Sequence, residues 1–162
     1  MQLVAKLEGM GLARADQETF GLTEKGREYA LHIVRTHRLL ERYLADRTGV
    51  QPEDWHQEAE RREHSFSPAD RESLASRLGH PVYDPHGDPI PTAKGDLPPL
   101  TGVPLTSLDP GEVGSIVHLG DEPREIFERL TEAGLTPLMT VRVVEAIPGE
   151  IRFEAGGRHH VL

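Results

Sequence analysis

Residues 22–44, LTEKGREYALHIVRTHRLLERYL, carry the strongest structural signal in the chain. Apolar side chains recur there at intervals of three and four residues, as on one face of an α-helix. They are Ala30, Ile33, Val34, Leu40, Tyr43 and Leu44. Thr23 is a suitable N-cap, and Gly49 is a suitable stop. We therefore predict a long amphipathic helix from Glu24 to about Thr48.

The residues before this helix predict two smaller elements. Residues 1–12 have apolar side chains at helical spacing followed by two glycines, which is typical of the last turns of a helix. Residues 13–22 favour a short β-hairpin, or wing, with polar turn residues.

Two shorter helices are predicted after residue 50. The first begins at Pro52 and runs to about His64, and the second has Ser67 as N-cap and ends near Leu78. Residues 79–106 are rich in proline and glycine and have no periodicity, which predicts a linker or an extended arm.

The C-terminal part has a different pattern that predicts short strands around one helix. The helix is expected at Arg124–Ala133, and the strands at 115–119, 140–146, 151–155 and 159–162. Such a set indicates a small β-barrel. The predicted fold class is therefore α+β.

Composition excludes several classes of site. The 162 residues carry 18 Lys+Arg against 27 Asp+Glu, a net charge of −9, which disfavours general nucleic-acid binding. The chain has no cysteine, so disulfides and thiolate metal sites are excluded. It contains no apolar run of membrane-spanning length, and we expect a cytoplasmic protein without a membrane partner.

Histidine and glutamate cluster at helical spacing. Residues 56–64, HQEAERREH, place four such side chains within an arc of roughly 100° on a helix: His56, Glu60, Glu63 and His64. His37 and Glu41 stand four residues apart on the long helix. Two helix faces with these side chains suit divalent metal ions. A solvated, charged helix face is the competing interpretation.

Three segments in this order resemble the iron-dependent repressor family, which includes the diphtheria toxin repressor and manganese-transport regulators. They are residues 22–44, WHQEAERREH at 55–64 and GHPVYDPHGDPIP at 79–91. Residues 105–162 resemble the ferrous-transport A-type domain, an SH3-like barrel. The resemblance implies a remnant of a winged helix-turn-helix at 1–23, a helical metal-binding and dimerisation domain at 24–91, a linker at 92–104 and the SH3-like domain at 105–162.

The resemblance also implies two metal sites. His37, Glu41 and His56 match the family's ancillary site, and Glu60, Glu63 and His64 match its primary site. Glu60 stands where iron-responsive members carry cysteine, which favours Mn²⁺, with Fe²⁺ next. Glu125 and Glu128, on the helix of the SH3-like domain, are further candidate ligands. Lys6 is a candidate DNA contact.

The implied function is a metal-dependent transcriptional repressor of metal-ion homeostasis. It would act as a homodimer on operator DNA. Pro68, Leu74 and Leu78 are candidate interface residues, and a place in the core of their own domain is the alternative. Most of the helix-turn-helix is expected to be missing, so DNA binding would require its completion. The alternative is a metal-sensing or dimerisation module that does not bind DNA itself. We expect no enzymatic activity, because no general base or substrate pocket accompanies the metal ligands.

Overall fold

A computed structural model of the chain describes residues 2–15, 19–121 and 123–162. These residues form an α+β fold, as predicted. The helices are α1 (Gln2–Gly9), α2 (Glu24–Arg47), α3 (Trp55–Glu63), α4 (Pro68–Arg77) and α5 (Arg124–Glu132). The strands are β1 (Ala13–Ala15), β2 (Phe20–Leu22), β3 (Val113–Ser115), β4 (Thr140–Ile147), β5 (Glu150–Ala155) and β6 (Arg158–Val161). Short 3₁₀ turns cover Pro52–Asp54 and Leu105–Ser107.

The beginning of α2 is packed directly against the N-terminal hairpin. The side chain of Thr23 caps α2 by accepting a hydrogen bond from the Gly26 amide, and the Thr23 amide donates to the carbonyl of Leu12. A Cβ atom at Gly26 would lie 1.8 Å from that Leu12 oxygen, so only glycine allows this approach. Strands β1 and β2 pair antiparallel as expected, whereas their predicted turn includes residues 16–18, which are outside the described residues.

The helical core forms where α2, α3 and α4 meet. Its buried members are Leu39, Leu40, Leu44, Ala59, Leu74, Ala75 and Ile90. The helix expected from Pro52 is divided into a 3₁₀ turn and α3, which begins at Trp55. Ser67 caps α4 through a capping box with Asp70, as its sequence position predicts.

The expectation of a linker throughout 79–106 is wrong for its first part, because residues 84–91 are folded onto α2. Arg35 donates a hydrogen bond to the carbonyl of Pro91, and Arg38 donates one to the carbonyl of Pro89. A proline has no amide proton, but its carbonyl can still accept a hydrogen bond. Side chains of α2 therefore hold this segment in place, although its sequence has no helical or strand periodicity. Within it, residues 84–88 form a turn, which we call the 84–88 turn.

The C-terminal domain is a four-stranded antiparallel sheet in the order β3-β4-β5-β6, covered by α5. Its core contains Leu119, Leu130, Leu135, Val141, Phe153 and Ala155. The strand predicted at 115–119 is mostly wrong, since β3 ends at Ser115. The chain then leaves the sheet for the 84–88 turn, where the Leu119 amide donates to the carbonyl of His86 at 2.9 Å. Among the residues described, none of the helices has the length and apolar character needed to cross a membrane.

Candidate metal centre

Two adjacent helices bring His37, Glu41 and His56 together. His37 and Glu41 are one turn apart on α2, and the Nε2 atom of His37 lies 2.9 Å from a carboxylate oxygen of Glu41. His56, from α3, places its Nδ1 atom 3.2 Å from the same His37 nitrogen and 3.3 Å from Glu41. Their potential ligand atoms all lie within 4.8 Å of one another.

A second group shares Glu41 but takes its other members from outside α2 and α3. His86 belongs to the 84–88 turn, and Asp121 belongs to the segment between β3 and α5. The Nδ1 atom of His86 lies 3.9 Å from Glu41 and 3.6 Å from Asp121. Asp121 is also 3.4 Å from the Nδ1 atom of His56, so it lies against both groups.

His86 is buried without a hydrogen bond at either ring nitrogen. The residue is 1% exposed, and its ring packs between Trp55 and Phe127, with centroid distances of 5.8 and 4.8 Å. Leaving a buried polar atom unpaired costs about 1–3 kcal/mol. The unpaired ring nitrogens lie beside the carboxylates of Glu41 and Asp121. A metal ion bound there would give His86 the partner that it lacks.

The ionisable side chains on the helical side of the cluster are paired with one another. Burial alone would lower the pKa of His37, but hydrogen bonds and charges from Glu41 and Glu63 outweigh it and raise that pKa to about 9. Burial would likewise raise the pKa of Glu41, but hydrogen bonds from His37 and His56 lower it to about 2. Hydrogen bonding to Glu41 raises the pKa of His56.

The 84–88 turn has the opposite electrostatic character. Burial lowers the pKa of His86 despite the nearby carboxylates, so its imidazole is kept neutral, the form that binds metals. Burial and the charge of Glu41 raise the pKa of Asp84 to about 7. One oxygen of Asp84 accepts three backbone amide hydrogen bonds at 2.9–3.0 Å, from His86, Gly87 and Asp88, and these bonds shape the turn.

The other predicted ligands, Glu60, Glu63 and His64, are assembled only in part. Glu63 is buried, and its carboxylate lies 2.7 Å from the Nδ1 atom of His37, which joins the two predicted sets. Glu60 is exposed at the edge of the cavity that contains His37 and Glu41. The side chain of His64 is 66% exposed, and its Nε2 atom lies 3.4 Å from Glu63.

The remaining candidate residues lie away from this cluster. Glu125 is exposed on α5, and Glu128 accepts a hydrogen bond from Arg124. Neither belongs to a group of potential metal ligands among the described residues. Lys6 is exposed on α1. From the C-terminal domain, the structure brings Asp121 to the cluster instead.

Sequence reasoning missed His86 and Asp121. Helical periodicity relates residues within one element, whereas these two come from irregular segments far apart in the chain. The available signal was the histidine in PHGDPIP, which the resemblance used only as a family mark.

Comparisons with known proteins agree with this arrangement of domains. Residues 23–92 match the family model of the iron-dependent repressor metal binding and dimerisation domain, and residues 103–162 match the FeoA domain. The chain is 36% identical to the iron-dependent repressor IdeR of Mycobacterium bovis over 91% of this chain and 70% of that protein. The chain belongs to the iron-dependent repressor family. The resemblance seen in the sequence is thereby confirmed.

Other members of the iron-dependent repressor family match at similar levels. The diphtheria toxin repressor of Corynebacterium glutamicum is 34% identical over 83% of this chain and 64% of its own length. A solved structure of a manganese-dependent transcriptional repressor in complex with manganese superposes with a TM-score of 0.88, at 31% identity, covering 99% of this chain and 77% of that chain. These relatives are repressors, in agreement with the expectation that the chain is not an enzyme.

Proposed function

We propose that the chain is a metal-dependent transcriptional regulator whose metal centre is built around Glu41. The observation that carries the proposal is the buried, unpaired His86 beside the carboxylates of Glu41 and Asp121. Together with His37 and His56, these side chains supply three imidazoles and two carboxylates. A bound cation would complete the hydrogen-bonding and charge requirements that this cluster leaves open.

The donor set supports a first-row divalent ion. Imidazole and carboxylate together suit Mn²⁺, Fe²⁺, Co²⁺, Ni²⁺ and Zn²⁺, and the lack of any cysteine removes the softer thiolate ligand. The relatives named above include an iron-dependent and a manganese-dependent repressor. We favour Mn²⁺, with Fe²⁺ next.

Glu60, Glu63 and His64 are proposed as the ligands of a second ion. Their position beside the first centre supports this, because Glu63 is bonded to His37. Release of His37 from Glu63 would free a carboxylate next to Glu60 and His64. Binding at one position would then change the ligands available at the other.

Regulation is proposed to act through α2, with homodimers as the acting species and operator DNA as the target. The family model that covers residues 23–92 is described as a dimerisation domain, which supports the homodimer. The N-terminal hairpin is seated on the start of α2, and Glu41 lies on the same helix. Metal binding would favour one orientation of these elements over others, a shift in population set by differential affinity.

The test is calorimetric titration of the full chain with Mn²⁺ and, without oxygen, Fe²⁺. Binding should be lost in His86→Ala and retained in His80→Ala, which removes an exposed histidine of the same segment. Equal affinity in the two variants and the native chain would overturn the proposed centre.

A metal-sensing module that does not bind DNA is the second candidate. The net charge of −9 and the presence of Lys6 as the only basic residue of α1 favour it. Gel-shift titration of the chain against operator DNA from related systems, with and without Mn²⁺, separates the two. Metal-dependent, sequence-specific binding would exclude the module.

A further inference from the structure

Residues 117–121 of the C-terminal domain lie against the 84–88 turn, beside further contacts that α5 makes with Asp54 and His86. We propose that this turn is a docking element that positions Asp121 beside Glu41 and His86. Gly87, Asp88 and His118 are then positioning residues. The inference rests on the proposed metal centre, because it explains how one of its carboxylates is delivered.

Gly87 permits the close approach of the two segments. Its φ of +99° is a backbone conformation that side chains disfavour, and a Cβ atom there would lie 2.0 Å from the carbonyl oxygen of Val117. That oxygen is main chain, so it cannot move aside without shifting the whole segment. Any larger residue at this position would hold the two domains apart.

Hydrogen bonds then set the register of the contact. The Leu119 amide donates to the carbonyl of His86 at 2.9 Å, one residue before Gly87. The Nε2 atom of His118 lies 3.2 Å from a carboxylate oxygen of Asp88. Arg38 donates to the other Asp88 oxygen at 3.2 Å, which ties this contact to α2.

These contacts fix the chain only a few residues before Asp121. With Leu119 bonded to the turn, Asp121 reaches 3.6 Å from His86 and 3.4 Å from His56. Undocking would withdraw this carboxylate, while His37, Glu41 and His56 would stay together on α2 and α3. Docking and metal binding are therefore coupled, and each strengthens the other by the same factor.

The experiment compares His118→Ala with His118→Gln, which retains a donor for Asp88. His159→Ala is the matched control, because the His159 side chain is 78% exposed on the same domain. We expect His118→Ala to accelerate hydrogen exchange at the Leu119 amide and to weaken Mn²⁺ binding roughly tenfold, as is typical for losing a support of a metal ligand. His118→Gln should restore both. Gly87→Ala should give the same changes, more strongly.

A double-mutant cycle tests whether His118 acts through Asp121. In an Asp121→Ala background, His118→Ala should cause no further loss of Mn²⁺ affinity. Unchanged exchange at Leu119 in both His118→Ala and Gly87→Ala would overturn the docking role. Faster exchange with unchanged Mn²⁺ affinity, or additive losses in the cycle, would overturn the positioning of Asp121. A native chain that binds no Mn²⁺ would overturn the metal centre itself, while Leu119 exchange would still report on docking.

Discussion

His37 and His86 lie near different oxygens of the Glu41 carboxylate, and they differ in origin, hydrogen bonding and pKa. His37 comes from a regular helix, is bonded at both ring nitrogens to Glu41 and Glu63, and has a pKa raised to about 9. His86 comes from an irregular turn, has no hydrogen bond at either nitrogen, and has a lowered pKa. The helical side is thus satisfied without an ion, and the turn side is not.

A regulatory metal site has to be stable without its ion and ready to bind it, and the two histidines meet these requirements separately. The ion pairs of His37 stabilise the fold when no metal is bound. They also keep its imidazole protonated, so a metal ion must displace that proton in order to bind. His86 has no hydrogen bond at either ring nitrogen and offers a neutral imidazole ready to bind. The following experiments test this difference between the two histidines.

The largest effect is expected for Glu41→Gln, because both groups of potential ligands share this carboxylate. Mn²⁺ affinity should fall by more than about 100-fold, the upper range seen when only a support of a metal ligand is lost. Calorimetry measures it, with Glu28→Gln as the control, since the Glu28 side chain is 73% exposed on the same helix. A loss of less than tenfold would mean that Glu41 is not the shared ligand.

The next largest effect is expected from pH. His37 is protonated in the metal-free protein below its pKa of about 9, so a metal must displace that proton. Rising pH weakens this competition, and Mn²⁺ affinity should increase by about tenfold per unit from pH 7 to 8.5. His37→Gln should flatten the profile. A native affinity that is constant over this range would contradict the role of His37.

Stability of the metal-free protein should distinguish the two histidines directly. His37→Leu removes the partner that the buried carboxylates of Glu41 and Glu63 share, and should lower the free energy of unfolding by about 3 kcal/mol. His86→Leu replaces an unpaired polar ring by an apolar side chain, and should change it by less than about 1 kcal/mol. Urea denaturation with a chelator present measures both. Equal destabilisation would remove the contrast.

The smallest effect is expected at Glu125 and Glu128. Each is on the exposed side of α5 or paired with Arg124, so alanine substitution of either should change Mn²⁺ affinity by less than about twofold. Asp121→Ala in the same titration should weaken binding by roughly tenfold or more. A larger loss at Glu128 than at Asp121 would reassign the ligand from the C-terminal domain.

The sequence was sufficient for the parts of the structure that follow local rules. Helical spacing predicted α2 and placed His37 and Glu41 on one face, and Ser67 as N-cap marked the start of α4. Three strands of the C-terminal domain also followed from their alternating patterns, whereas the strand predicted at 115–119 shares only Ser115 with β3.

The parts that sequence reasoning missed depend on contacts between distant segments. Residues 84–91 have the composition of a linker, but Arg35 and Arg38 hold them on α2 by bonding to proline carbonyls, and Ile90 is buried in the helical core. Residues 116–119 have strand propensity, but the Leu119 amide bonds to the carbonyl of His86, which lies outside the sheet. His86 and Asp121 come together only when residues 84–91 lie on α2 and Leu119 is bonded to His86.

The close contact between Gly26 and the Leu12 carbonyl would let α2 transmit a tilt at the metal centre to the N-terminal hairpin. At one end the helix is seated against the N-terminal hairpin without intervening side chains, and at the other it carries Glu41. About 15 helical residues separate these points, a rod of roughly 22 Å, so a tilt of about 5° at the metal centre would displace the hairpin by roughly 2 Å. A lever of this length would convert a small rearrangement of ligands into a movement comparable to the length of a hydrogen bond.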